Sequence, residues 1–272
     1  MRKISIIGIV GESVFLSMDR LPKGGETSHA KDMFTELGGK GFNQAIAAAR
    51  FGANVSFFTA VGKDGYKQKV IDFCNAEKIA PFIVEKEGRT AYAVIQTENS
   101  GENVVTVYNG AQLEQKDFVL FEEEIKTSEF LLVTNEVPYA LLKEAIELAS
   151  KYNVKVVFNP APYREVEEEI KDKVYLFTPN EHETVGLEEL KNVVITMGKQ
   201  GCFIKSLNEK ILPTEDKPVD TTGAGDTFNG VLVAMLAQGK ELIEAVNIAN
   251  RAAGKCVTKK GAATAVPYLE NI

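Results

Sequence analysis

The sequence predicts an α/β protein, a mostly parallel sheet covered by helices on both faces, with a small β appendage. Three observations carry this. The short apolar runs are continuous rather than alternating, as strands buried on both faces require. They alternate along the chain with helical patterns, the order expected of a parallel sheet with crossover helices. One stretch in the first half breaks that order and reads as a hairpin.

Residues 4–10 form the first run. It is too short to cross a membrane and is followed at once by Gly11 and Glu12, so it reads as a buried strand rather than a signal peptide. Residues 13–18 and 28–36 read as strands of the appendage. A helix at 42–51, a strand at 55–61 and a helix at 66–77 follow. Residues 91–97 and 104–108 flank the polar turn 98–102 and make the hairpin. The appendage is therefore a lid inserted from about residues 12–36 and 89–109 into one domain spanning 1–272. Further strands are expected at 130–135, 154–159, 174–178 and 193–196, and helices at 139–152, 224–238 and 242–258.

The 272 residues are 44% hydrophobic, ample for one sizeable core. A net charge of −7 gives no basic excess for a nucleic-acid backbone, which excludes that class of partner. Cys74, Cys202 and Cys256 are far apart and suggest neither a disulfide framework nor a zinc site. A soluble, cytoplasmic protein with no membrane partner is the expectation.

The chemistry concentrates in three runs. In Asp220-Thr221-Thr222-Gly223-Ala224-Gly225-Asp226, small residues precede an apolar helical stretch. Such a turn directs successive N–H groups into one concavity, and the helix adds its positive dipole end. That suits a transferring phosphoryl group, with Asp226 beside it as the base for an attacking hydroxyl. The competing view of the same residues is a helix capped by Asp226. In Gly38-Gly39-Lys40-Gly41-Phe42-Asn43, an ammonium and a carboxamide join the turn's N–H groups where a polyol would be gripped; alone, it would be a capped surface turn. It is not a Walker A sequence, nor is Gly8-Ile9-Val10-Gly11 a dinucleotide fingerprint. In Thr178-Pro179-Asn180-Glu181-His182-Glu183, Asn180 and Glu183 are placed either to hold a hydrated Mg²⁺ or simply to cap a turn.

Together these runs resemble the ribokinase-like (PfkB) family of carbohydrate kinases, closest to its ribokinase branch. Four more runs in the family's order extend the likeness over nearly the whole chain: GENVVTVYNGAQ from Gly101, NPAP from Asn159, TMGKQG from Thr196 and KKGAATAVP from Lys259. The resemblance implies a Rossmann-like three-layer α/β/α sandwich with a β-sheet lid, homodimerisation through the lid, and ATP-dependent phosphorylation of a hydroxymethyl group. It implies Asp226 as base and Gly223, Ala224 and Gly225 as the anion hole. Gly39, Lys40, Gly41, Asn43 and Glu136 fall on sugar-contacting positions, and so do Gly11 and Ser13. Asn180, Thr196, Gly198, Gly201 and Asn250 fall on nucleotide positions, and Glu183 on the Mg²⁺–phosphate position. Asp220, Thr222, Cys256, Lys259, Gly261 and Ala265 match a K⁺ loop whose ligands are mostly backbone carbonyls. Ala265 departs from the serine that ribokinases commonly place there.

Two further departures bear on function. Gly11 and Ser13 stand where ribokinases carry an asparagine and an aspartate. A lost carboxylate removes about 1.5–3 kcal/mol of charged hydrogen bonding, and the room beside a glycine would admit a bulkier or differently oxygenated sugar. Strand alternation turns Glu12 to the other face. The second departure is the short link 184–192, beside the expected nucleotide site. The alternatives are a nucleoside kinase, with Phe15, Phe34, Phe42 and Tyr108 as a base cradle, and a non-catalytic sugar-binding regulator.

Overall fold

The computed structural model describes residues 2–99 and 103–272, so part of the turn at 98–102 lies outside the described residues. In chain order the elements are β1 (Lys3–Ile7), β2 (Gly11–Met18), β3 (Asp32–Gly38), α1 (Lys40–Arg50), β4 (Asn54–Gly62), α2 (Tyr66–Ala76), β5 (Ala80–Lys86), β6 (Ala91–Glu98) and β7 (Asn103–Tyr108). The second half comprises α3 (Glu122–Lys126), β8 (Phe130–Thr134), α4 (Tyr139–Lys151), β9 (Lys155–Asn159), α5 (Glu168–Lys171), β10 (Leu176–Phe177), β11 (Val194–Thr196), β12 (Cys202–Ile204), β13 (Glu209–Ile211), α6 (Ala224–Ala237) and α7 (Leu242–Cys256).

The main sheet has the order β10-β9-β8-β1-β4-β5, and every pair in it is parallel. Its strands divide their side chains between two cores with the period of two that a pleated strand dictates. Ile4 and Ile6 face one core and Ile7 the other; Phe130 and Leu132 face the first, Leu131 and Val133 the second. Helices α1, α2, α6 and α7 cover the first face, and α3, α4 and α5 the second. The fold is thus a three-layer α/β/α sandwich. Helix α6 is buried from Asp226 to Ala237, which explains why its sequence is apolar all round rather than striped.

A second sheet, of order β3-β2-β6-β7, stands at the C-terminal ends of the main strands. Strand β2 pairs antiparallel with β3 and parallel with β6, and β6 pairs antiparallel with β7. Its register puts Ser13 opposite Glu36 on one side and Ala93 on the other. One surface of this sheet therefore carries Glu36, Ser13, Ala93 and Val107 in a row.

Several elements differ from expectation. Strand β1 stops at Ile7 because the chain must cross α1 there: a Cβ on Gly8 would lie 2.5 Å from the Gly41 Cα. Strand β3 runs later than residues 28–36. The run at 193–196 is no full partner in the parallel sheet. It opens a separate antiparallel sheet, β11-β12-β13, tied to the main one by isolated bridges at Phe177–Val193 and Asn180–Thr196. Strand β5 was not anticipated; it is a half-buried edge strand with Pro81 inside it, so its pattern is broken.

Candidate active site

The turn that opens α6 lies between two clefts. One, of about 560 Å³, is lined by Asn180, Thr196, Gly198, Gly201 and Asn250, with Ala224 and Gly225 at its inner end. The other, of about 610 Å³, is lined by Gly11, Ser13, Gly39, Lys40, Asn43 and Glu136, with Thr222, Gly223 and Asp226 at its inner end. The structure thus gathers the residues expected to contact nucleotide in one cleft and most of those expected to contact sugar in the other. Gly41 is the exception: it lies beneath the second cleft, against Gly8, and donates its N–H to Glu136 Oε2 at 3.3 Å.

Gly223 is the N-cap residue of α6, with φ of 75°, and no side chain caps the helix. Asp226 is therefore not a cap. Its carboxylate turns away from the helix end and accepts from Asn43 Nδ2 at 2.9 Å and Gln44 Nε2 at 3.1 Å. Gln44 is held in turn by Asn159 Oδ1 at 3.2 Å, and Asn159 donates to the Thr178 carbonyl at 2.8 Å. Gln44 was not singled out from the sequence, and Asn159 only as the first residue of the NPAP run, with no role assigned to it. Their signal was position: Gln44 follows Asn43 at the start of α1, and Asn159 ends β9 on the rim of the sheet.

Three charged groups converge here. Burial pushes the Asp226 carboxyl up from the ordinary carboxylate range, while Lys40 and the two amides pull it back. Burial also raises Glu136, to about 7, against the pull of Lys40. The Asp226 charge raises Lys40; burial opposes it, and Glu136 and Glu183 add to the rise. Lys40 therefore stays a cation facing two carboxyls.

The Asn180–Glu183 turn closes on itself: Asn180 N–H donates to Glu183 Oε2 at 2.9 Å, and His182 N–H to Asn180 Oδ1 at 2.8 Å. Capping thus uses one Glu183 oxygen. Among the described residues no three His, Cys, Asp or Glu side chains cluster as a metal cage. A single carboxylate with a spare oxygen suits Mg²⁺, which keeps most of its shell as water and phosphate oxygens.

In the loop expected to hold K⁺, Asp220 Oδ1 accepts from the Thr222 N–H at 3.0 Å and its hydroxyl at 2.7 Å, and Oδ2 accepts from Gly261 N–H at 3.0 Å. The Asp220 side chain thus orders the loop, leaving carbonyls as the available ligands. Cys256 lies 4.0 Å from the Thr222 carbonyl, Lys259 N–H bonds the Cys256 carbonyl at 3.2 Å, and Ala265 is fully buried.

One expectation about specificity is corrected. Gly11 leaves no room for a larger substrate: a Cβ there would lie 2.2 Å from the Ala91 carbonyl oxygen, so β6 already fills the space. None of residues 184–192 lines the first cleft. Glu12 does turn away, accepting from the Tyr66 hydroxyl at 2.6 Å and Lys69 at 3.3 Å.

The pfkB family of carbohydrate kinases matches this chain over residues 1–269. The chain belongs to that family. As a pfkB kinase it is a phosphotransferase with an alcohol acceptor. Among curated pfkB relatives, the ribokinase of Bacillus subtilis is 34% identical over 100% of this chain and 98% of its own. The ribokinase structure of Thermotoga maritima matches with a TM-score of 0.88 at 30% identity, covering 99% of this chain and 97% of that one. An Arabidopsis thaliana ribokinase complexed with ribose and ATP matches with a TM-score of 0.81 at 25% identity, covering 98% and 96%.

Proposed function

We propose that the chain transfers the γ-phosphoryl group of ATP to a hydroxymethyl group of a ribose-like monosaccharide, with Asp226 as the base. One observation carries this reading: the Asp226 carboxylate lies in the sugar-side cleft while the next turn residues, Gly225 and Ala224, line the nucleotide-side cleft. A hydroxyl at Asp226 and a phosphate at the helix end would meet across one residue.

The acceptor oxygen attacks the γ-phosphorus, its proton passes to Asp226, and the bond to the β-phosphate oxygen breaks with ADP leaving. Asn43 and Gln44 aim the carboxylate. The N–H groups of Gly223, Ala224 and Gly225, at the positive end of α6, stabilise the oxygens as charge develops. Glu183 would hold Mg²⁺, which when bound neutralises phosphate charge, and the 220–222 and 256–265 carbonyls would hold K⁺ behind the anion hole. Asn135 lines the acceptor cleft with its buried Nδ2 unpartnered, a donor free for a sugar hydroxyl.

A sugar is favoured over a nucleoside because, of Phe15, Phe34, Phe42 and Tyr108, Phe15 alone lines the acceptor cleft. Phe15 and Phe34 stack on each other at 4.4 Å, and Phe42 is fully buried in the core. A second copy meeting the lid is part of this reading: Val105 and Val107 line the acceptor cleft yet are 52% and 58% exposed.

The test is ADP release across pentoses, hexoses and nucleosides, with the product identified by mass. Ribose or a close analogue should turn over, and Asp226→Asn should lower kcat by about 10²–10⁴ with Tm unchanged or raised. Normal turnover in a folded Asp226→Asn removes Asp226 as base. A ligand that raises Tm with no ADP release from the parent favours the non-catalytic regulator.

A further inference from the structure

The phosphoryl-transfer scheme leaves one buried carboxylate unused. Glu36 sits on β3, two residues before the Gly38-Gly39-Lys40 run, and is only 7% exposed. Among the described residues it bonds none of its own sheet through its side chain. Instead it reaches the C-terminal loop, accepting from Ala262 N–H at 2.5 Å, Thr264 N–H at 3.1 Å and the Thr264 hydroxyl at 2.7 Å. Three donors from two residues, Ala262 and Thr264, converge on one carboxylate, which fixes the loop to the strand.

That loop is the floor of the anion turn. A Cβ added to Gly223 would lie 2.9 Å from both Cα and Cβ of Ala262, so the two backbones are in direct contact. Gly261, the next residue back, is bonded to Asp220 at the start of the same turn. Ala262 also lines the acceptor cleft beside Gly223 and Asp226. A continuous path therefore runs from β3 through Glu36 and Ala262 to Gly223.

We propose that Glu36 is a positioning residue that transmits the placement of the lid strand to the anion turn. Displacement of β3 when the acceptor is covered draws the 262–264 loop with it, and Ala262 sets the angle at which the Gly223–Gly225 N–H groups face the phosphoryl group. Glu36 never meets the substrate. This rests on the reading of Gly223–Gly225 as the anion hole, but the contact path stands without it.

The experiment pairs Glu36→Gln with Thr264→Val, and uses Asp32→Asn, which weakens the exposed Lys260 pair on the same strand and keeps an oxygen for the Met33 N–H, as the control. The glutamine sets an NH₂ against an N–H that needs an acceptor. Hydrogen exchange on the apo protein is read first, because it needs no activity. Glu36→Gln should speed exchange about ten-fold in residues 261–264 and also in 221–225, with Asp32→Asn unchanged. Kinetically, kcat should fall about ten-fold, with KM for both substrates nearly constant. Thr264→Val, which loses one of three donors, should do the same to a smaller extent, and it decides the matter if Glu36→Gln does not fold. Faster exchange confined to 261–264, or unchanged kcat in a folded Glu36→Gln, overturns the coupling. Coupled exchange in a chain whose Asp226→Asn variant is fully active would fault the function reading and leave the contact path intact.

Discussion

Half-buried Glu136 and buried Asp226 are two carboxyls that share one ammonium, Lys40, and that sharing has a measurable cost. Burial raises Glu136 to about 7, so the folded protein binds its proton more tightly than the unfolded chain does. Stability from this group is fully present below the ordinary carboxylate value and is lost as pH rises through about 7. Glu136→Gln removes the titration. The parent should therefore lose about 3 kcal/mol relative to that variant between pH 4.5 and 8, read as a widening Tm difference; parallel Tm–pH curves would refute it. At this scale the sequence was only partly legible. Asp226, Asn43 and Lys40 stand in runs whose composition announces chemistry. The roles of Gln44 and of Asn159, which was noted only as the start of the NPAP run, are not legible there, because a glutamine inside a helix and an asparagine at a strand end acquire meaning only once α1, α6 and β9 are folded together.

Elements buried on both faces were legible because burial leaves a continuous apolar record: β4, β8 and β9 lie where their runs of Val, Phe and Leu place them. Elements with other environments were not. Strand β5 is an interrupted edge, and β12 and β13 have three residues each, too few for any period to show. The same limit misled the interpretation of Gly11. From sequence, a missing side chain looks like a vacancy; in the sheet it is a place where β6 leaves no room for one. Gly11→Asn, which restores the residue type ribokinases carry, should therefore not restore a sugar contact. It should push β6 away, lower Tm by several degrees and raise acceptor KM. Ser13→Asp has no such backbone obstacle, since Ser13 already carries a side chain on the cleft surface, and should lower ribose KM. A Gly11→Asn variant with parental Tm and a lower KM would show that β6 yields.

Taken whole, the molecule places its transfer turn between a nucleotide-side cleft walled by the main domain and an acceptor cleft whose outer wall is a four-stranded sheet. Part of that outer wall is exposed. Phe34, Phe15, Ile95 and Val105 form one row across the sheet, by register, and burial falls from Phe15 at 6% and Ile95 at 4% exposed to Val105 at 52%. Val107, in the neighbouring row, is 58% exposed. Phosphoryl transfer needs water kept from the γ-phosphate, and exposed valines at a cleft mouth are what a second lid would cover. The expected outcome is a dimer by sedimentation that Val105→Asp converts to monomer. The monomer should release ADP without acceptor faster than the parent, because water reaches the phosphate, while its acceptor KM rises. Sedimentation separates this from local damage to the cleft: a Val105→Asp protein that remains dimeric yet fails kinetically would place the interface elsewhere. A parent that sediments as a monomer at high concentration would mean that one lid closes the site alone.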